Sequence, residues 1–277
     1  MINSAAWCGS WCKRLPLYVL LVLLIPFSVV AEKTKGEQRI RIGAASSLQF
    51  ALNEIAAAFS VETGHREPQI VYGSSGNLFR QIMQGAGFDI YISADSELVA
   101  RLVSADKTVG QGMQFGLGGL VLYIGNSTQL ESGMSLSGLR RALATGTVVR
   151  NEKAISFKLA IANPRHAPYG RAAQQALETL QLWQQARPHL VFGEKVSQAA
   201  QFVVSGAAEM ALISRSLALS EPLRNAGHFI EIDSNNHKPV IQSMALLDGS
   251  SAASRDFFAF VQSSAQAENI LQQYGLR

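Results

Sequence analysis

The sequence predicts a two-lobed α/β protein. Short apolar runs alternate with longer segments of helical period from Arg39 to the C-terminus, the pattern of helices packed on largely parallel sheet. Two lobes accommodate so many short strands better than one long sheet, and 277 residues with 48% hydrophobic side chains supply enough core for both. Charged residues are 16% of the chain and form no long like-charge run, which argues against a disordered tail or a nucleic-acid arm.

The first thirty residues stand apart. Lys13 and Arg14 precede an apolar run, Leu15 to Val30, and Val29-Val30-Ala31 offers small residues for cleavage, so residues 1–31 read as a secretory signal peptide. The run is short, is broken by Pro26 and leads into a polar stretch from Glu32 to Arg39, which disfavours a permanent membrane anchor. Cys8 and Cys12 both precede the apolar run. Cleavage would therefore leave no thiol for a disulfide, a metal site or an acyl anchor, and a soluble periplasmic product is expected. Loss of Lys13 and Arg14 takes the formal charge from +4 to +2, too small an excess to define a partner.

In the mature chain Arg39 to Ala44 reads as a strand, and Leu48, Leu52, Ile55 and Phe59 mark a helix up to the Gly64 stop. A strand at Ile70 to Tyr72, a helix over Leu78 to Met83 and a strand at Phe88 to Ile92 follow. The middle repeats the theme: strands at Gly119 to Ile124, Lys158 to Ala162, His189 to Phe192 and Met210 to Ile213, with helices through Ala173 to Leu180 and Val196 to Val203. Strands at Phe229 to Ile232 and Ile241 to Leu246 precede two closing helices around Phe257 to Val261 and Ala267 to Tyr274. The chain is expected to leave the first lobe near Gly116 to Gly119 and return at Asp233 to Pro239, so residues 38–117 and 239–277 form lobe 1 and 118–238 lobe 2.

Four strand-to-helix junctions carry the functional signal: Ala44-Ala45-Ser46-Ser47, Gly73-Ser74-Ser75-Gly76-Asn77, Pro164 to Gly170, and Glu194-Lys195-Val196-Ser197. A serine at a helix start caps the backbone or donates its hydroxyl outward, and the first-turn N–H groups carry the positive end of the helix dipole. Such termini bind anions without a charged side chain. Each serine taken alone reads as a plain cap; paired hydroxyls at strand ends that face one crevice read as a site.

These residues also carry a resemblance. AASSL (Ala44 to Leu48), YGSSGNLFRQI (Tyr72 to Ile82), FDIYISAD (Phe88 to Asp95), NPRHAPYGRAA (Asn163 to Ala173), KVSQA (Lys195 to Ala199) and QYGL (Gln273 to Leu276) make the chain similar to the periplasmic molybdate-binding proteins of bacterial uptake systems. The resemblance implies the type II periplasmic binding protein fold, each lobe a mixed sheet flanked by helices, closing on a tetrahedral dianion such as molybdate or tungstate. By position it implies that Ser47 and Ser75 donate hydroxyl and backbone N–H groups from one lobe, and the backbone N–H groups of Tyr169 and Val196 from the other. The side chain of Tyr169 is then expected to matter little. Many members place a tyrosine where this chain has Ser214, and a serine is too short to put its hydroxyl in the same place; Ser214 remains a candidate site residue, with the contact expected to be lost, bridged by water or supplied by neighbouring Arg215. The implied partner is the membrane permease of an ABC transporter; no cofactor, resident metal, nucleic acid or enzymatic activity is expected, and the chain is expected to be a monomer.

Other readings meet obstacles in the residues. A serine hydrolase built on Ser75 lacks the G-x-S-x-G elbow, because Asn77 stands two residues after it. A transcriptional regulator would need a DNA-binding segment ahead of Arg39. Phosphate would call for a carboxylate acceptor among the four helix starts, and ferric iron for a tyrosine or carboxylate cluster; His65, His166, His189, His228 and His237 show no metal-site spacing.

Overall fold

The computed structural model describes residues 39–129 and 135–276; the expected signal segment, residues 1–31, lies outside them. Its strands are β1 (Arg41–Ala45), β2 (Gln69–Gly73), β3 (Ile90–Ser93), β4 (Thr108–Gly118), β5 (Leu120–Gly125), β6 (Thr128–Gln129), β7 (Thr147–Arg150), β8 (Lys153–Ser156), β9 (Leu159–Ala162), β10 (Leu190–Gly193), β11 (Met210–Ser214), β12 (Gly227–Glu231) and β13 (Val240–Leu247). Two five-stranded sheets have the orders β2-β1-β3-β13-β4 and β10-β9-β11-β5-β12, and β6-β7-β8 form a small third sheet.

The two large sheets are built alike. β1 lies parallel between β2 and β3, and β9 parallel between β10 and β11. One reversed strand then joins each sheet, β13 beside β3 and β5 beside β11. The sheets are thus mixed rather than largely parallel. Strands covered on both faces are continuously apolar, as in β9 with four buried residues in succession, the signature of a sheet flanked by helices. The chain leaves the first sheet at Gly118, enters the second at Leu120, and returns between Glu231 and Val240.

Packing explains the order. The helix Gln49–Thr63 turns Leu52, Ile55 and Phe59, all fully buried, onto the first sheet, and ends at Gly64 with φ 74°. The Phe59 ring meets Phe257 edge-on at 5.1 Å and Phe260 at 5.5 Å, which fastens the penultimate helix, Ala252–Ser263, over this lobe. Truncating such a buried ring costs about 3–5 kcal/mol. Beyond the expected elements the structure contains the eleven-residue β4 and the helices Ser96–Ser104 and Leu136–Thr145. Among the described residues no helix is long and apolar enough to cross a membrane.

Candidate functional site

The parallel pairs fix where the helices begin. Ala45 at the end of β1 is level with Gly73 at the end of β2, and Ala162 at the end of β9 with Gly193 at the end of β10. The chain then turns into the 3-10 turn Ser46–Leu48 that leads into Gln49–Thr63, and into the helices Ser75–Met83, Pro168–Thr179 and Val196–Val204. First-turn N–H groups have no intrahelical acceptor, so two such starts from each lobe offer free donors.

They meet at one small cavity of about 10 Å³, lined by Ser46, Ser47, Ser74, Ser75 and Ala94 on one side and Ala167, Tyr169 and Val196 on the other. No lining residue carries a formal charge. Four of the expected residues, Ser47, Ser75, Tyr169 and Val196, are therefore brought together. A larger cleft of about 420 Å³ adjoins it at Ala94 and Pro168 and is lined by Asp95, Glu97, Arg171, Gln175 and Lys238 among others; none of the buried unpartnered side-chain atoms falls on those five residues.

Each serine has a separate task. Ser74 is the cap: its Oγ accepts from the Asn77 N–H at 3.4 Å and meets His166 Nδ1 at 2.9 Å. Ser75, fully buried, accepts the Ala94 N–H on Oγ at 3.0 Å, and the Tyr91 hydroxyl donates to its carbonyl at 2.8 Å. Burial raises the Tyr91 pKa well above the usual phenol value, so it stays a donor. With its oxygen accepting, the Ser75 proton remains to be given to a ligand. Ser47 Oγ is buried and has no hydrogen-bond partner in the protein. Its carbonyl accepts from Ser216 Oγ at 2.7 Å.

Ser214 is placed differently from the expectation. Its Oγ accepts from the Leu217 N–H at 3.3 Å, capping the short helix Arg215–Ala218, and contacts Ser216 Oγ at 3.1 Å; it is not among the residues lining the cavity. Arg215 turns to Glu231, Nε to Oε1 at 3.1 Å, and does not line the cavity either. Tyr169 divides its backbone and its ring between two places. Its backbone begins a helix at the cavity, but its ring is buried and reaches the crossing between lobes, where a Cβ on Gly118 would stand 2.1 Å from the hydroxyl. Burial pushes that phenol's pKa up, against a smaller opposing effect of the Gln242 amide. The Tyr169 side chain is thus a core element at the crossing.

The two lobes are tied across the cleft. Gly76 N–H donates to the His166 carbonyl at 2.9 Å, Lys195 Nζ to the Tyr72 carbonyl at 3.0 Å, and the Ser197 N–H to Ser46 Oγ at 3.4 Å; Arg171 pairs with Asp95. Burial lowers the His166 pKa, with Arg80 and Arg171 adding to the effect and Glu194 opposing it. Ser74, His166 and Glu194 stand in a row, with Glu194 Oε2 at 3.3 Å from Nε2. This is not a hydrolytic triad in form: the serine faces Nδ1 rather than Nε2, and the Glu194 side chain is 72% exposed, whereas the triad acid is buried. The row ties one lobe to the other. Among the described residues no group of three or more His, Cys, Asp or Glu could hold a metal ion.

Residues 40–277 match the family model described as bacterial extracellular solute-binding protein. The chain belongs to this family of solute-binding proteins. The molybdate-binding protein ModA of Rhodobacter capsulatus is 28% identical to it over 225 residues, covering 80% of this chain and 81% of that one. ModA of Haemophilus influenzae is 26% identical over 92% of this chain and 94% of its own. The solved periplasmic molybdate-binding protein of Azotobacter vinelandii superimposes with a TM-score of 0.73 at 23% identity, covering 86% of this chain and 99% of that one. As a solute-binding protein, the chain has its four helix starts where the two lobes of the fold face each other. Ser46 and Ala94 join the lining without having been singled out as ligand contacts; Ser46 was legible only as half of a serine pair. Ser216 had no sequence signal, since its partner lies 169 residues away.

Proposed function

We propose that this solute-binding protein captures molybdate, or the closely similar tungstate, between its lobes and delivers it to the membrane permease of an ABC transporter. One observation carries the reading: two serine hydroxyls with protons to give and four helix N-termini, drawn from both lobes, converge on a cavity without formal charge. Charge-assisted hydrogen bonds contribute about 1.5–3 kcal/mol each when water is excluded, and dipoles supply the rest of the attraction. The absence of a carboxylate from the lining favours a fully deprotonated oxyanion over hydrogen phosphate. The relatives named for molybdate support that ion over sulfate.

The wider reading follows from the same role. Residues 1–31 act as a cleaved signal peptide, the mature chain is a periplasmic monomer with lobes at 38–117 with 239–277 and at 118–238, and it works without cofactor, nucleic acid or catalysis. Ser47, Ser75, Tyr169 and Val196 hold the anion; Ser214 acts behind them. Calorimetric titration of the mature chain with molybdate, tungstate, sulfate and phosphate tests the ligand: tight binding of the first two and weak binding of phosphate is expected. Equal binding of all four, or none, would reject it. N-terminal sequencing of the exported protein should begin after Ala31.

A further inference from the structure

Ser216 belongs to one lobe and touches the other. It lies in the short helix that follows β11 in the second sheet, yet its Oγ donates at 2.7 Å to the carbonyl of Ser47, at the end of β1 in the first. Both Ser216 and Ser214 are buried, at 3% and 0% exposure, so neither hydroxyl has water as an alternative partner. A hydroxyl has one proton. The Ser216 hydroxyl thus faces two acceptors, the Ser47 carbonyl at 2.7 Å and Ser214 Oγ at 3.1 Å, and the shorter contact takes the proton; Ser214 Oγ also accepts the Leu217 N–H at 3.3 Å.

Ser47, which accepts from Ser216, has its own hydroxyl buried and unpartnered, and it lines the cavity. We propose that Ser216 is a positioning residue for ligand binding: by crossing the cleft to the Ser47 carbonyl, it sets the Ser46–Leu48 turn so that the Ser47 hydroxyl faces the anion, and it ties that geometry to lobe closure. This rests on the oxyanion reading of the cavity. Ser216 reaches no ligand itself, and it is not among the lining residues.

The test is molybdate titration by calorimetry of wild type, Ser216→Ala, Ser47→Ala and the double variant, with Ser216→Cys as a near-isosteric weak donor in case the alanine form misfolds by circular dichroism. Expected is a loss of roughly tenfold in affinity for Ser216→Ala, the scale of one hydrogen bond, with a smaller loss for Ser216→Cys. The readout that a merely structural role would not move is coupling. On the Ser47→Ala background, Ser216→Ala should add less than about threefold, because the group it positions is gone. A Ser216 variant that folds and binds within about twofold of wild type, or losses that multiply in the double variant, overturns the inference while leaving the oxyanion reading intact. A wild type that binds no molybdate takes both down.

Discussion

Of the four first-lobe serines in the cavity lining, Ser75 and Ser47 are held in opposite ways. Ser75 is secured from within its own lobe, by the Ala94 N–H and the Tyr91 hydroxyl. Ser47 is secured from the facing lobe, by Ser216, and its hydroxyl has no protein partner. Half of the serine pair is therefore ready before the lobes meet, and the other half is completed by their meeting. Preorganised donors need no reordering when ligand arrives, while donors set by closure make closure part of the binding energy.

Substitutions separate the two cases. Ser75→Ala should do the most, because it removes a ligand donor and leaves the buried Ala94 N–H without an acceptor. Molybdate affinity should fall by about 1–3 kcal/mol, and the thermal midpoint of the ligand-free protein should drop as well. Ser47→Ala should weaken binding on the same scale, about 1–3 kcal/mol, yet leave the ligand-free midpoint unchanged or higher, since it deletes an unpartnered buried hydroxyl. Equal ligand-free stabilities for the two variants would break the comparison.

Gly76→Ala probes closure alone. A Cβ there would stand 2.6 Å from the His166 carbonyl on the other lobe, so binding should weaken by about 1–2 kcal/mol. The ligand-free protein should be no less stable, because alanine suits a helix better than glycine. A smaller effect is expected from pH. Burial holds His166 below the usual imidazole value, so between that lowered pKa and about 6.5 the unfolded chain binds a proton that the folded chain resists. Stability is complete above about 6.5 and declines as pH falls through that window. His228 is lowered by burial too, so His166→Asn should reduce the acid sensitivity of the melting temperature without abolishing it; an unaltered slope would contradict this. Arg215→Ala should matter least, within about 0.5 kcal/mol of wild-type affinity by calorimetry, because its charge is spent on partly exposed Glu231.

Local pattern made much of this legible in the sequence. The spacing of Leu52, Ile55 and Phe59 gave the first helix, and the small residues after the apolar runs gave the four helix starts that line the cavity. β4 escaped notice because Gly110, Gly112, Gly116 and Gly118 interrupt any alternation, and its place is fixed by pairing with β13, more than a hundred residues away and with register shifts. Ser214 has no signal of its own beyond the family's tyrosine position, and its role as the cap of Arg215–Ala218 follows from that helix's first turn. The cavity's partners could be read at turns, where one residue type states its role. The contacts that tie the lobes, Ser216 to Ser47 and His166 to Ser74 and Gly76, depend on tertiary placement and have no local signature.

The most direct test of the central claim is anomalous X-ray diffraction at the molybdenum edge from crystals grown with molybdate. The account predicts one strong peak between the lobes, with oxygens in hydrogen-bond reach of Ser47 Oγ, Ser75 Oγ and the N–H groups of Tyr169 and Val196. A peak in the cleft lined by Asp95, Arg171 and Lys238 instead, or none in the protein, would contradict it.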